Sequence, residues 1–227
     1  MPWIRDLLLL FFPSNCLVCS KRLPALQAIL CFECEMNMPK TCFGDYEDNP
    51  VSQIFWGRVQ VRAGASLFRF EKGSAYQALI HDLKYRGNRE AGLYLGRLLG
   101  QELKGSIFSD CDLMVPVPLH RKRFRQRGYN QSELIARGVS EITGIPVVNN
   151  LLRRKKYQHS QTSKNRQERF QNILEAFSLI DSPPDLHGKK ILIIDDIITT
   201  GATLEACSSI FLNNYNCTVF FATVSYA

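Results

Sequence analysis

Two adjacent carboxylates, Asp195 and Asp196, stand between an apolar run and a short loop rich in hydroxyl groups. The apolar run, Ile191 to Ile194, is mostly β-branched, which is typical of a strand buried on both faces. A helical pattern begins near Ala202, so the loop joins a strand to a helix. Such a loop lies at the carboxyl edge of a parallel sheet, where open α/β folds bind ligands. The sequence therefore places two acidic side chains at a predicted ligand-binding edge.

The loop after the carboxylates has the composition of a phosphate-binding turn. The start of the following helix offers unpaired backbone N–H groups and a positive dipole end, which favour an anion. One glycine lets the backbone approach a ligand closely, and the threonines add hydroxyl donors. The loop residues are Thr199, Thr200, Gly201, Ala202 and Thr203. Because carboxylates suit the vicinal hydroxyls of a ribose, the stretch predicts a ribose 5-phosphate site; the alternative is an ordinary acidic turn after a buried strand.

The string 191–203 resembles the signature of type I phosphoribosyltransferases, the enzymes that use phosphoribosyl pyrophosphate (PRPP). Other segments are similar to the ComF family, whose members are named for a role in bacterial DNA uptake. These segments are 79–85, 116–120, 127–131 and 161–172. The resemblance implies an α/β fold of the type I phosphoribosyltransferase kind, with a mostly parallel sheet and a small N-terminal module like a zinc ribbon.

The resemblance also implies a ligand, PRPP with Mg²⁺, and a set of site residues. Asp195 and Asp196 are implied to be the catalytic pair, which holds the ribose hydroxyls and favours positive charge at the anomeric carbon. The residues implied on the pyrophosphate side are Lys84, Arg121, Arg123, Arg127, Gly128, Tyr129 and Asn130. The residues implied in a flexible loop that closes over PRPP are Gln161, Arg169 and Asn172.

A basic run, 120–131, follows a predicted strand at 112–118 that contains two prolines. The prolines indicate that this strand stops hydrogen bonding near its end. Clustered cations usually form a solvated surface. Phe124 and Tyr129 lie among the cations, which favours instead a loop that holds a pyrophosphate or stacks on bases. The formal net charge of +7 suits a partner with phosphates, either PRPP or a nucleic acid.

Four N-terminal cysteines form two Cys-x-x-Cys pairs, Cys16 with Cys19 and Cys31 with Cys34. Each pair suits a knuckle that directs two thiolates at one ion, so together they predict a structural Zn²⁺ site. A segment this small buries little core, and a metal could supply its folding energy. A disulfide framework is the alternative, but it fits poorly with a cytoplasmic chain. Cys42 is interpreted as a spare thiol.

The length of 227 residues allows one sizeable core and a small appendage. We predict that residues 1–57 form an N-terminal helix, the cysteine zinc module and a turn-rich linker, and that residues 58–227 form the phosphoribosyltransferase-like domain. Helical patterns such as 130–142 alternate with strand patterns such as 218–226, as they do in βα units. The longest apolar run, 7–12, is too short to span a membrane, and we expect a cytoplasmic protein.

Two functions of different classes follow from these observations. The first is an enzyme that transfers a phosphoribosyl group from PRPP to an unidentified acceptor. The second is a non-catalytic module that handles single-stranded DNA during DNA uptake, with PRPP as a regulator or unused. The intact signature favours the first function for the chemistry, whereas the resemblance to a DNA-uptake family favours the second for the biology.

Overall fold

The computed structural model describes residues 14–24, 29–154 and 176–227. The predicted N-terminal helix and the predicted loop residues Gln161, Arg169 and Asn172 lie outside this part of the chain. The described helices are α1 (Phe32–Met36), α2 (Pro50–Gln53), α3 (Gln77–Tyr85), α4 (Arg89–Leu103), α5 (Arg121–Arg127), α6 (Gln131–Thr143) and α7 (Ala202–Asn214). The described strands are β1 (Ala63–Arg69), β2 (Leu113–Pro116), β3 (Leu152–Arg154), β4 (Phe177–Leu179), β5 (Lys190–Ile198) and β6 (Thr218–Tyr226).

The central sheet has four strands in the order β1-β6-β5-β2, and every neighbouring pair is parallel. Val147 extends the sheet beyond β2 through one parallel bridge to Met114. β3 and β4 form a separate antiparallel pair. Helices connect the parallel strands, as the alternation of helical and strand patterns predicts. The observed architecture confirms the predicted α/β fold with a mostly parallel sheet.

β5 is buried on both faces because its side chains alternate between two cores. Ile191 and Ile193 contact the core that contains α7, whereas Leu192 and Ile194 contact the core that contains α3, α4 and α6. All four side chains have no measurable exposure to solvent. The continuous apolar run of β5 therefore reflects a strand that is covered by helices on each side.

The backbones of α4 and α6 approach each other closely through glycines on both helices. A Cβ atom added at Gly96 would lie 2.3 Å from the carbonyl oxygen of Ile135. A Cβ atom added at Gly138 would lie 2.3 Å from the carbonyl oxygen of Leu93. Because these distances leave no room for a side chain, we refer to this contact between α4 and α6 as the glycine seam.

The N-terminal module shares a hydrophobic core with the helices of the α/β domain. Ile29 and Leu30 are buried in the same cluster as Leu79 of α3. The hydroxyl group of Tyr76 donates a hydrogen bond of 2.8 Å to the carbonyl oxygen of Cys34. The described part of the chain contains no helix that is long and apolar enough to cross a membrane.

The segment that we predicted as a linker packs against the sheet. The side chain of Asn49 caps α2 by accepting hydrogen bonds from two backbone N–H groups of that helix. Val51 and Phe55 are fully buried in the core that contains α7. A domain boundary near residue 57 stays a prediction, and the segment before it lies directly behind the loop between β5 and α7.

Candidate functional site

The acidic pair lies inside β5, where this strand has lost one neighbour. The apolar run suggested that β5 ends at Ile194, but β5 continues to Ile198 because it still pairs with β6. On the other side, Val117 donates the last hydrogen bond, 2.9 Å long, to the carbonyl oxygen of Ile194. The chain then leaves the sheet at the second proline of the 112–118 segment, which has no N–H group to donate. Asp195 and Asp196 therefore follow the point where one edge of β5 becomes open.

Each carboxylate of the acidic pair accepts hydrogen bonds from the described side chains around it. The hydroxyl group of Ser132 donates to Asp195 Oδ1 at 2.9 Å, and Gln131 Nε2 donates to Asp196 Oδ2 at 2.8 Å. Lys84 Nζ lies 3.1 Å from Asp196 Oδ1, and Asp196 is only 5% exposed. Burial, and then the charge of Asp196, raise the pKa of Asp195 to about 7. The two neighbouring carboxylates thus have different partners: Asp196 forms an ion pair with a lysine, whereas Asp195 accepts a hydrogen bond from an uncharged hydroxyl group.

The loop between β5 and α7 turns through Gly201, whose φ angle is +76°. A Cβ atom there would lie 2.9 Å from Ile54 Cγ2 and 2.9 Å from Phe55 Cζ, so both the conformation and the space require glycine. A cavity of about 40 Å³ lies at this turn and is lined by Asp195 and residues 197–204. No described side chain caps α7, and the first N–H groups of a helix lack intrahelical partners. This arrangement suits a phosphate.

A larger cavity of about 810 Å³ joins the acidic pair to basic side chains. Its basic lining residues are Lys84, Arg86, Arg123, Arg127 and Arg154. The acidic side chains in the lining are Asp195 and Asp196, so cations outnumber carboxylates and the cavity favours a polyanion. Arg127 Nη1 is buried and has no hydrogen-bond partner among the described residues. A ligand anion would satisfy this donor.

The basic run is the helix α5, not the loop that the sequence suggested. His120 begins the helix, because its Nδ1 accepts a hydrogen bond of 3.2 Å from a backbone N–H group two residues further on. Gly128, with a φ angle of +77°, ends the helix. Arginine, lysine and glutamine have high helix propensities, and every residue of α5 keeps part of its surface exposed, although Arg127 Nη1 itself is buried. Arg123 and Arg127 line the larger cavity, whereas Arg121 does not.

Tyr129 and Asn130 hold the elements around the larger cavity together. The hydroxyl group of Tyr129, which is buried, donates to the carbonyl oxygen of Leu83 at 2.6 Å, next to Lys84. Asn130 lines the cavity, and its Nδ2 donates to the carbonyl oxygen of Val117 at 3.0 Å. The same asparagine side chain caps α6. Tyr129 and Gly128 are not among the described residues that line the cavity, and their predicted place on the pyrophosphate side stays a prediction.

Three described residues belong to the candidate site although they were not predicted as site residues: Gln131, Ser132 and Arg154. Gln131 and Ser132 begin α6 directly after its capping residue Asn130, and polar residues at that position were the available signal. Their partners lie 65 and 63 residues further along the chain, so nothing local identifies the contact. Arg154 enters the cavity from the end of β3, at the start of the polar stretch 153–172 that contains the predicted flexible-loop residues.

The four predicted zinc ligands form one cluster. The sulfur atoms of Cys16, Cys19, Cys31 and Cys34 all lie within 4.8 Å of one another. The sulfur atoms of Cys19 and Cys31 are 3.6 Å apart. A tetrahedral zinc ion with four thiolates requires sulfur separations of about 3.8 Å. The cluster can therefore hold a zinc ion, and Cys42 lies outside it.

Comparison with known proteins places this site in a family context. Residues 129–227 match the model of the phosphoribosyl transferase domain. This part of the chain is similar to phosphoribosyl transferase domains. The match covers α6, the acidic pair and the loop after it, whereas Lys84 and the four-cysteine cluster precede the matched residues.

Curated relatives have names that refer to competence and DNA utilization. Competence protein F of Haemophilus influenzae is 36% identical over 99 residues, which are 44% of this chain and 43% of that protein. DNA utilization protein YhgH of Salmonella typhimurium is 30% identical over 145 residues, 62% of this chain and 63% of that protein. Competence protein ComFC of Streptococcus pneumoniae is 33% identical over 138 residues, 60% and 56% respectively. The chain thus spans between 43% and 63% of the length of these relatives.

Proposed function

We propose that this protein binds PRPP with Mg²⁺ in the larger cavity and transfers the phosphoribosyl group to an acceptor. The observation that carries the proposal is that three chemically matched elements surround one space: the acidic pair, the threonine loop and the group of basic side chains. PRPP has three corresponding parts, which are a ribose with free hydroxyl groups, a 5-phosphate and a pyrophosphate.

The three parts of PRPP match three groups of residues in the phosphoribosyl transferase domain and the segment before it. The 5-phosphate binds to the loop residues Thr199, Thr200, Gly201, Ala202 and Thr203. Asp195 and Asp196 accept hydrogen bonds from the ribose hydroxyls. Lys84, Arg123 and Arg127 hold the pyrophosphate, for which the buried Nη1 of Arg127 supplies a donor.

In the proposed reaction, the bond between the anomeric carbon and the pyrophosphate oxygen breaks, and the electron pair leaves with pyrophosphate. The acceptor forms a new bond to the anomeric carbon and loses a proton. Asp195 and Asp196 favour the positive charge that develops on the ribose. The basic side chains of the cavity stabilise the negative charge of the leaving group.

Mg²⁺ fits this site as a partner of the pyrophosphate. The acidic pair already accepts hydrogen bonds from three side chains, so it does not form a dedicated magnesium cage. Mg²⁺ usually keeps several water ligands and binds through substrate phosphates. When bound, the ion would neutralise part of the pyrophosphate charge, and the cavity of about 810 Å³ leaves room for its hydration shell.

Isothermal titration calorimetry of the zinc-loaded protein with PRPP and Mg²⁺ tests the proposal. We expect binding by the wild-type protein and none by the double variant Asp195→Asn, Asp196→Asn, because the ribose contacts are lost. The control is Asp110→Asn with Asp181→Asn, which removes the same charge from two exposed carboxylates. Unchanged PRPP affinity in the acidic-pair variant would count against the assignment. Release of pyrophosphate in the presence of candidate bases or amines then tests turnover.

The exposed surface of α5 and the names of the relatives favour a second candidate function, the handling of single-stranded DNA. Four cations on α5 are exposed: Arg121, Lys122, Arg123 and Arg125. Phe124 among them is 47% exposed and offers a face for base stacking. Salt-dependent binding of single-stranded DNA that is lost when the four cations become glutamine would support this function. Failure to bind at low salt would remove it.

We also propose a structural role for zinc and a cytoplasmic location. All eight cysteines have unpaired thiols in the structure, although four of them are close enough to share an ion. A chain with many reduced thiols suits a reducing compartment. The cluster binds zinc in its closed four-thiolate form, which leaves no open coordination position for catalysis.

A further inference from the structure

We propose that Arg58, which precedes β1, positions the loop that binds the 5-phosphate. The inference rests on the proposed function, because it gives Arg58 a part in PRPP binding. Arg58 lies outside residues 129–227, which match the phosphoribosyl transferase domain. Nothing in the signature stretch points to this residue, so only its contacts in the folded chain reveal it.

The guanidinium group of Arg58 joins three segments of the chain. Its Nη1 donates a hydrogen bond of 2.8 Å to the carbonyl oxygen of Thr200, in the middle of the phosphate loop. The same nitrogen donates at 3.0 Å to the carbonyl oxygen of Ile54, which fixes the side chain to its own turn. Its Nη2 forms an ion pair with Glu205, which is 4% exposed and lies in the first turn of α7.

The turn that carries Arg58 also forms a wall behind the phosphate loop. Phe55 is fully buried, and the centroid of its ring lies 5.8 Å from the guanidinium carbon of Arg58. Ile54 and Phe55 are the nearest side chains to the space that a Cβ atom on Gly201 would occupy. The loop therefore rests on the 54–58 turn through van der Waals contact and is tied to it through Arg58.

Arg58 acts on the loop without lining either cavity of the candidate site. It is absent from the residues that line the large cavity and from those that line the small one, whereas Thr200 lines the small one. A carbonyl oxygen that turned toward a bound phosphate would repel it. The hydrogen bond from Arg58 holds the Thr200 carbonyl, so the loop can present N–H and hydroxyl groups to the anion.

Arg58 also compensates a charge that would oppose phosphate binding. Glu205 lies in the first turn of α7, which is the end of the helix that favours an anionic ligand. An unpaired carboxylate there would compete with the phosphate through like-charge repulsion. The ion pair with Arg58 removes this repulsion, so Arg58 is a positioning residue and not a catalytic one.

The experiment compares three ligands, ribose 5-phosphate, PRPP with Mg²⁺ and inorganic pyrophosphate with Mg²⁺, by calorimetry on the full chain. We expect Arg58→Met to weaken ribose 5-phosphate and PRPP by the same factor, about tenfold, because both use the loop. Pyrophosphate should change by less than about twofold, because it binds at the cationic side of the cavity. The matched control is Arg62→Met, which removes a cation from the same segment. The ion-pair partner of Arg62 is Glu47, at 2.5 Å, and not a residue of the phosphate loop.

A second variant keeps the test decisive if Arg58→Met folds poorly. Arg58→Lys retains a cation for Glu205 but lacks the planar fork that also reaches Thr200, so it should restore part of the ribose 5-phosphate affinity. An equal loss for all three ligands, or no loss for any, would overturn the positioning role. If the wild-type protein binds pyrophosphate and ribose 5-phosphate but not PRPP, the proposed function fails while the role of Arg58 is still measured. If the wild-type protein binds none of them, both proposals fail.

Discussion

At the scale of single residues, the site depends on two neighbouring carboxylates with different surroundings. Asp196 contacts Lys84 and Gln131, so a cation compensates its buried charge. Asp195 accepts hydrogen bonds from Ser132 and from the backbone N–H group of Asp196, and neither donor is charged. The pKa of Asp195 is raised to about 7, first by burial and then by the charge of Asp196, so Asp195 is the member of the pair that we expect to titrate near neutral pH.

We expect Asp195 to make the stability of the protein depend on pH. The pKa of Asp195 is about 7 in the folded protein and 3.8 for an ordinary aspartate. Between pH 3.8 and about 7, Asp195 holds a proton in the folded protein that the unfolded chain has released. The unfolding free energy therefore falls as the pH rises toward 7. From pH 5 to pH 7, the wild-type protein should lose on the order of 2 kcal/mol of unfolding free energy relative to Asp195→Asn. Urea denaturation across this pH range measures the difference.

The control for the pH experiment is Asp181→Asn. Asp181 is 89% exposed and pairs with Arg153 at 2.9 Å, so its removal should leave the pH dependence of stability close to that of the wild-type protein. If Asp195→Asn kept the same pH dependence as the wild-type protein, the raised pKa of Asp195 would be wrong.

Lys84 should distinguish PRPP from ribose 5-phosphate. In the free protein Lys84 pairs with Asp196, and we expect it to turn to the pyrophosphate when PRPP binds. Lys84→Met should therefore weaken PRPP binding at least about tenfold and leave ribose 5-phosphate within about twofold. Calorimetry with both ligands measures the effect, and Lys104→Met, at an exposed position after α4, is the control. An equal loss of affinity for both ligands would contradict the proposal that Lys84 turns from Asp196 to the pyrophosphate.

At the scale of elements, the turn between β5 and α7 is defined by space as well as by conformation. We expect Gly201→Ala to lower the unfolding free energy by about 2 to 4 kcal/mol, because the added methyl group meets Ile54 and Phe55 at a positive φ angle. Gly73→Ala is the control, since its φ angle is +87° and no atom lies within 4 Å of the added Cβ. That control should lose about 1 kcal/mol. If urea denaturation showed equal losses of unfolding free energy in the two variants, a packing contribution at Gly201 would be excluded.

The elements that the sequence predicted well have both an apolar face and explicit ends. The helix expected at 130–142 is α6, which Asn130 caps and Gly144 ends with a φ angle of +77°. The strand expected at 218–226 coincides with β6. Local patterns were sufficient for these elements because the apolar periodicity and the residues that end each element indicate the same boundaries.

Two features of the site could not be predicted from local patterns. α5 has no apolar face, so periodicity gave no helical signal and only the caps at His120 and Gly128 mark its ends. The hydrogen bonds from Gln131 and Ser132 to the acidic pair join residues that are far apart in the chain. Their formation depends on how α6 packs against β5, which is a property of the folded domain and not of a motif.

At the scale of the whole molecule, the four-cysteine cluster and the α/β domain should unfold together. Cys16 and Cys34 are buried in the same cluster as Leu67 of β1 and Leu79 of α3. We expect a strong chelator to lower the melting temperature of the entire protein by several degrees, because zinc release uncovers part of the shared core. Calorimetry should show a single shifted transition and not a separate small one.

The control for the chelation experiment is Cys42→Ser, since Cys42 is exposed and lies outside the cluster. This variant should respond to the chelator as the wild-type protein does, whereas Cys19→Ser should melt at a lower temperature even without chelator. A melting temperature that the chelator leaves unchanged would exclude a folding role for zinc.

The glycine seam has a consequence for how the protein tolerates mutation. α6 begins with Gln131 and Ser132, and its position against α4 is set by backbone contact at Gly96 and Gly138 with no side chain that could adjust. Any larger residue there acts as a wedge that shifts the start of α6 away from β5. A mutational scan should therefore find inactivating substitutions along this stripe of the helix pair, in proteins that still fold, at positions that never meet a ligand.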